Sequence, residues 1–157
     1  MKNLITVLIT VTFLLSACAK VMDFAAEEAK INKVLDQNFK ALETEDLGLY
    51  EKIFANDADM VVFGTDATER VVGWEALKKV MTKQFEATES TKITSSDRVI
   101  KVHESGQVAW FSEIIDWEVT ADGQIVKMEG VRGTGVLEKR NGNWVIVQMH
   151  YSIPAGS

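Results

Sequence analysis

Three short dipeptides fix the fold class of the second half of this chain. Ser105-Gly106, Asp122-Gly123 and Asn141-Gly142 separate four β-rich runs, Arg98 to His103, Gln107 to Val119, Gln124 to Lys139 and Asn143 to Ile153. A polar residue followed by glycine supplies the backbone conformations that a tight hairpin requires, so consecutive runs pair as an antiparallel meander. The single proline, Pro154, follows the last run, where its missing N–H costs no ladder hydrogen bond.

A sheet with one apolar face needs a cover, and the first half supplies it. From Val21 to Glu43 the apolar residues Phe24, Ile31, Val34, Leu35, Phe39 and Leu42 keep helical spacing between charged neighbours. Thr44-Glu45-Asp46 breaks that helix, and Leu47, Tyr50, Ile53 and Phe54 predict a second, shorter one ending near Asn56. Met60 to Gly64 reads as a short strand between Asp59 and Asp66. A third helix starts near Gly73 on Trp74, Leu77, Val80, Met81 and Phe85, and the polar stretch Glu86 to Ser96 ends it. The expected fold is α+β: three N-terminal helices packed on a curved antiparallel sheet.

Residues 1–17 stand apart. Lys2 precedes an apolar and hydroxyl run from Leu4 to Leu15 that is too short for a membrane-spanning helix and has the form of a secretory signal. Leu15-Ser16-Ala17-Cys18 resembles the lipobox of bacterial lipoproteins, which implies cleavage before Cys18 and acylation of its thiol. The expected organisation is therefore a lipoprotein signal peptide, 1–17, and one domain, 18–157, tethered in the cell envelope. Ala19 after the cysteine suggests, by the same resemblance, outer-membrane sorting facing the periplasm in a Gram-negative host. With Cys18 the only cysteine, no disulfide forms within the chain, and the core alone must hold the domain.

The chain carries 17 Lys and Arg against 23 Asp and Glu, a net charge of −6. That balance argues against nucleic acid as a partner, because phosphate binding needs clustered cations. His103 and His150 lie on different strands without the spaced ligands of a zinc site, and Gly130, Gly133 and Gly135 fall within a β run and open no helix. No metal and no cofactor is expected.

Five stretches carry a family resemblance: Phe63-Gly64-Thr65-Asp66, Val72-Gly73-Trp74-Glu75, Val108-Ala109-Trp110, Arg132 through Lys139, and Gly142 through Ser152. In this order they resemble the SnoaL-like domains of the nuclear-transport-factor-2-like superfamily, which implies a cone-shaped sheet around a cavity. That superfamily hosts enzymes, binders and assembly modules, so the resemblance implies a fold more firmly than a mechanism. A ketosteroid isomerase needs a carboxylate base on the first strand. Here that strand is Met60-Val61-Val62-Phe63-Gly64, without one.

The densest polar constellation lies on the last three strands, and hairpin register decides which of its members meet. A two-residue Asn141-Gly142 turn sets Arg132 opposite Tyr151; a three-residue Arg140-Asn141-Gly142 loop sets Arg132 opposite His150 and Thr134 opposite Gln148. At Asp122-Gly123 the same choice sets either Glu113 or Ser112 opposite Arg132. The resemblance, in which the arginine, threonine and histidine face a cavity, favours both three-residue loops. The expected cavity wall is then Trp110, Ser112, Arg132, Thr134, Gln148, His150 and Ser152, closed by Phe63 and Trp74.

Such a wall suits a small, partly apolar ligand. Arg132 would grip a carboxylate or polarise a carbonyl, and His150 would move a proton, which is enough for an isomerase, dehydratase or cyclase. Binding alone needs no turnover, and each residue also has a structural use, Arg132 as an ion-pair partner of Glu113 or Asp116, His150 as a hydrogen-bonded strand residue. The leading expectation is an envelope-anchored binding domain. The alternatives are catalysis by His150 and Arg132, or a homodimeric assembly module with a vestigial pocket, prompted by the second apolar face of the last strand, Val145, Val147, Met149 and Tyr151.

Overall fold

The computed structural model describes residues 22–154, so residues 1–17, expected to be a signal peptide, and Cys18 lie outside the described residues. Helix α1 spans Phe24–Glu43, capped where Asp23 Oδ1 accepts from Ala26 N at 3.0 Å. It ends at Thr44, and Glu45 turns the chain with a φ of 54°. Asp46 caps α2, Leu47–Ile53, in the same way through Leu49 N. Strands β1, Val61–Phe63, and β2, Arg70–Val72, form a small hairpin, and α3 runs from Trp74 to Ala87. Strands β3, Ser90–Val102, β4, Val108–Ala121, β5, Gln124–Arg140, and β6, Asn143–Ser152, complete one sheet in the order β2-β1-β6-β5-β4-β3.

The meander β3 to β6 is antiparallel, as the turn dipeptides require, while β1 runs parallel to β6, with Phe63 opposite His150. Two elements differ from the sequence reading. Residues 90–96, read as part of the polar stretch that ends α3, begin the edge strand β3, whose polar alternation reflects having only one hydrogen-bonded neighbour. Strand β2, three residues long, is too short to carry a pattern.

Both long hairpins close with two-residue turns. Asn141 and Gly142 have φ of 51° and 83°, and Asp122 and Gly123 have 49° and 68°, the left-handed pair that Asn-Gly and Asp-Gly accommodate. Each ladder then contains a bulge. On β6 the pairing passes from Leu137↔Ile146 to Val136↔Gln148, leaving Val147 as the extra residue. On β5 it passes from Trp117↔Met128 to Ile115↔Val131, with Gly130 at φ 65° and its N–H donated to Asp116 Oδ1 at 2.9 Å. Each bulge shifts the register one step in the direction opposite to a three-residue loop. Arg132 therefore faces Ser152 and Ile114, and Thr134 faces His150 and Ser112.

The helices cover the face of the sheet formed by Ala109, Phe111, Glu113 and Ile115 on β4, Val131 and Leu137 on β5, and Trp144, Ile146, Met149 and Tyr151 on β6. Ile31, Leu35, Phe39 and Leu42 of α1 pack into the same core. Each fully buried Leu or Ile there contributes about 1.5–3 kcal/mol. Two ion clusters fix α1 to the sheet. Arg98 reaches Glu113 at 2.8 Å and Asp36 at 2.7 Å, and Glu27 accepts from Lys139 at 2.7 Å, Lys30 at 2.8 Å and Trp144 Nε1 at 2.7 Å.

Candidate functional site

Between the helices and the strongly curved end of the sheet lies a cavity of about 560 Å³. The C-terminal end of α1 provides Leu42, α2 provides Tyr50, and α3 provides Leu77, Val80, Met81 and Gln84. Val62 and Val71 enter from the β1–β2 hairpin, Trp117 and Val119 from β4, Met128 from β5 and Tyr151 from β6. Thr65, Thr68 and Glu69 of the β1–β2 loop and Arg70 at the start of β2 form its polar margin. An apolar enclosure with a few polar groups at one place is the form of a small-molecule site. A larger groove, about 920 Å³, lies at the other end of the domain among Lys33, Lys52, Arg140 and Asn143. Its lining interleaves Lys30, Lys33, Glu51, Lys52 and Arg140 with apolar side chains, and we take the smaller, more apolar cavity as the candidate site.

The cavity's inner polar groups are tyrosines. Asn38 Nδ2, fully buried in α1, donates to Tyr151 Oη at 3.0 Å, and the indole of Trp117 packs edge-on against the Tyr151 ring with centroids 5.5 Å apart. Tyr50 stacks on Phe54 at 4.6 Å and meets Phe85 edge-on at 6.4 Å. Burial pushes the Tyr50 hydroxyl well above the usual phenol range, with the neighbouring Tyr151 adding to it; burial likewise raises Tyr151, against the opposing hydrogen bond from Asn38. Both phenols stay protonated at neutral pH and offer donors. Glu69 is the one carboxylate on the lining, and it is exposed. Among the described residues no three His, Cys, Asp or Glu side chains converge as metal ligands.

The structure moves the expected site residues elsewhere. Trp110, Ser112, Arg132, Thr134, Gln148, His150 and Ser152 do share one face, but it is the face turned away from the helices. Trp110 is 48% exposed, and Ser112, Arg132, Thr134 and His150 are exposed with it. Phe63 lies on that outer face as well, its ring edge-on to His150 at 5.7 Å and beneath the Arg70 guanidinium at 5.9 Å. Trp74 is buried at the start of α3, where its N–H donates to Asp57 O at 2.8 Å. None of these nine residues lines the 560 Å³ cavity.

The physical reason lies in two glycines. A Cβ on Gly133 would come within 2.8 Å of Ile115 Cδ1, and one on Gly135 within 2.6 Å of Phe111 Cε1 and 2.5 Å of Gln148 O. The inward positions of β5 are thus occupied by large side chains reaching over from β4, and the glycines make room. With 133 and 135 inside, Arg132 and Thr134 must point outward. The cavity residues absent from the sequence-derived wall, Tyr50, Trp117 and Tyr151, follow ordinary apolar patterns in the sequence, and the pattern of β6 assigns Tyr151 to the opposite face, with Val145 and Val147. Their common signal is an aromatic ring with one polar atom, at inward positions.

A family model described as a SnoaL-like domain matches residues 31–156. No curated protein matches the chain. Among solved structures, a nuclear transport factor 2-like superfamily protein from Salmonella enterica serovar Typhimurium is similar with a TM-score of 0.76 and 18% identity, over 85% of this chain and 94% of that one. A cystatin-like-fold protein from Nostoc punctiforme has a TM-score of 0.66 at 16% identity, over 84% and 94%. A hexachlorocyclohexane dehydrochlorinase has a TM-score of 0.69 at 13% identity, over 85% and 92%. At these identities the likeness is one of fold.

Proposed function

Since the chain belongs to the SnoaL-like domain family, with a family model matching residues 31–156, we propose that it binds a small, largely apolar molecule in the 560 Å³ cavity. The observation that carries this reading is the lining itself. Leu42, Val62, Leu77, Met81, Val119 and Met128 enclose space at a point where a well-packed domain has none to spare. Binding is favoured over turnover because the inner polar groups, Tyr50 and Tyr151, are neutral donors, and the carboxylate beside Tyr151, Glu113, lies off the lining and is held by Ser95 and Arg98. His150 and Arg132 lie on the other side of the sheet. A concentration-dependent rise in Tm with naphthalene, lost when Val119→Trp fills the cavity, supports the reading; an unchanged Tm in both proteins rejects it.

The outer face supports a second reading, association of two copies. Trp110, Val99 and Phe63 are 48%, 50% and 39% exposed there among the polar side chains of Ser112, Thr134 and His150, and large apolar side chains left exposed on a sheet face are a contact that a symmetry mate can cover. The two readings use opposite faces and are compatible.

The lipid anchor proposed at Cys18 adds an orientation. Met22 lies against Gly106, at the end of the sheet that carries the β3–β4 and β5–β6 turns, and four residues of tether span at most about 14 Å. The cavity is built from the opposite ends of β4, β5 and β6. An anchored domain therefore holds its cavity away from the bilayer, where ligand exchanges with the aqueous compartment.

A further inference from the structure

We propose that α1 carries an autoinhibitory contact: a polar stripe on the helix occupies the open edge of β3 and keeps a second copy of this chain from adding its own β3 there. Glu43 is the residue that closes the edge.

The inference begins at the end of the sheet. Strand β3 is terminal in the sheet order, so along its 13 residues only β4 pairs with it among the described residues. An open edge presents a row of backbone N–H and C=O groups to any strand that arrives. The first half of β3 suits such pairing. Ser90-Thr91-Lys92-Ile93-Thr94-Ser95-Ser96 holds β-branched residues, a single charge and neither glycine nor proline. Two copies paired antiparallel about Ile93 would set Lys92 against Thr94 and Thr91 against Ser95, with no like charges opposed.

Helix α1 stands where that second copy would pair. Asn32, Asp36 and Glu43 follow one another at helical spacing and share one face of α1. Glu43 Oε1 accepts the backbone N–H of Ile93 at 2.9 Å. Ile93 is paired with Trp117 yet donates to a helix side chain, so its N–H points off the open edge. By the alternation of an antiparallel ladder, the N–H groups of Thr91 and Ser95 point the same way. Farther along, Arg98 donates to Asn32 Oδ1 at 3.2 Å and to Asp36 Oδ1 at 2.7 Å. It leaves the strand at a bulge, where Asp97 has a φ of 51° and the pairing passes from Ser96↔Ile114 to Val99↔Ser112. A bulge turns an edge away from regular pairing, so that half of β3 is protected by the shape of its backbone. Residues 90–96 have no bulge, and their protection falls to Glu43.

Sedimentation velocity of the full chain in mild detergent, over a range of concentrations, tests this. Glu43 is exposed, so Glu43→Ala leaves the core packing untouched. That variant is expected to self-associate about tenfold more readily than the wild type, the weight of one hydrogen bond to a charged group. Glu43→Gln keeps an acceptor oxygen and should behave as the wild type. Adding Thr91→Pro to Glu43→Ala removes an N–H from the open edge and none from the β4 ladder, and should return association to the wild-type value. Association through the outer face is common to all four proteins and cancels in the comparison. A Glu43→Ala variant that loses Tm but associates as the wild type does would make the contact a strut and overturn the proposal. Extra association that persists in the double variant would place it on another surface and overturn the proposal as well.

Discussion

Asn38, in the middle of α1, and Tyr151, near the end of β6, meet across the core at 3.0 Å, and through that bond the first helix holds the floor of the cavity. Tyr151→Phe keeps the ring and removes the hydroxyl, leaving the Asn38 amide buried without a partner. We expect a loss of about 1–3 kcal/mol in urea unfolding. Asn38→Leu in the same protein should recover part of it, because no polar group is then stranded; strictly additive losses would show that the two residues do not act as a pair.

Glu27 gives the fold an acid-sensitive point. Hydrogen bonds from Lys139, then Lys30, and also from Trp144 lower its carboxyl from an ordinary 4.5 to about 2, against an opposing effect of burial. Its stabilising contribution is therefore complete above about pH 4.5 and is lost as pH falls toward 2. With Lys30 exposed and screening part of the interaction, we expect about 2 kcal/mol from it at neutral pH. Glu27→Gln should flatten stability between pH 4.5 and 2; an acid limb unchanged in the variant would assign it to other carboxylates.

Gly135 tests the packing beneath Phe111. A methyl group there would meet Phe111 Cε1 at 2.6 Å and the Gln148 carbonyl at 2.5 Å, the latter being backbone that cannot swing aside. Gly135→Ala should cost at least about 2 kcal/mol by overpacking, whereas Gly123→Ala, with nothing within 4 Å, is limited to the strain of its φ of 68°. Equal effects at the two sites would contradict the close approach of β4 over β5.

Trp110 tests association through the outer face. Trp110→Glu places a charge on that face without touching the core, so sedimentation equilibrium should show a dimer in the wild type and a monomer in the variant, at unchanged Tm per monomer. A wild-type monomer would remove the reading.

The meander and the apolar faces of the three helices were legible because each rests on local chemistry: Asn-Gly and Asp-Gly mark where a strand reverses, though not whether two or three residues close the turn, and Ile31, Leu35, Phe39 and Leu42 make one stripe. The site was not. Side-chain direction along a strand reverses with each residue, so the single extra residue at Val147 carries β6 from Trp144 and Ile146 inward to Met149 and Tyr151 inward. That bulge is selected by packing with β5 and leaves no mark in the sequence of β6. Gly133 and Gly135 compounded the error, since a glycine shows no preference for either face and only the neighbours Ile115 and Phe111 reveal that it lies inside. Arg132 and His150 share a face, as expected, yet the face is the outer one.

The most direct test of the central claim is native mass spectrometry of the full chain extracted gently from its own membranes, comparing wild type with Val119→Trp and with His150→Ala. Binding in the cavity behind β4 predicts a small molecule retained by the wild type and by His150→Ala but lost from Val119→Trp. A ligand that survives Val119→Trp and disappears with His150→Ala would place the site on the outer face of the sheet and contradict the account.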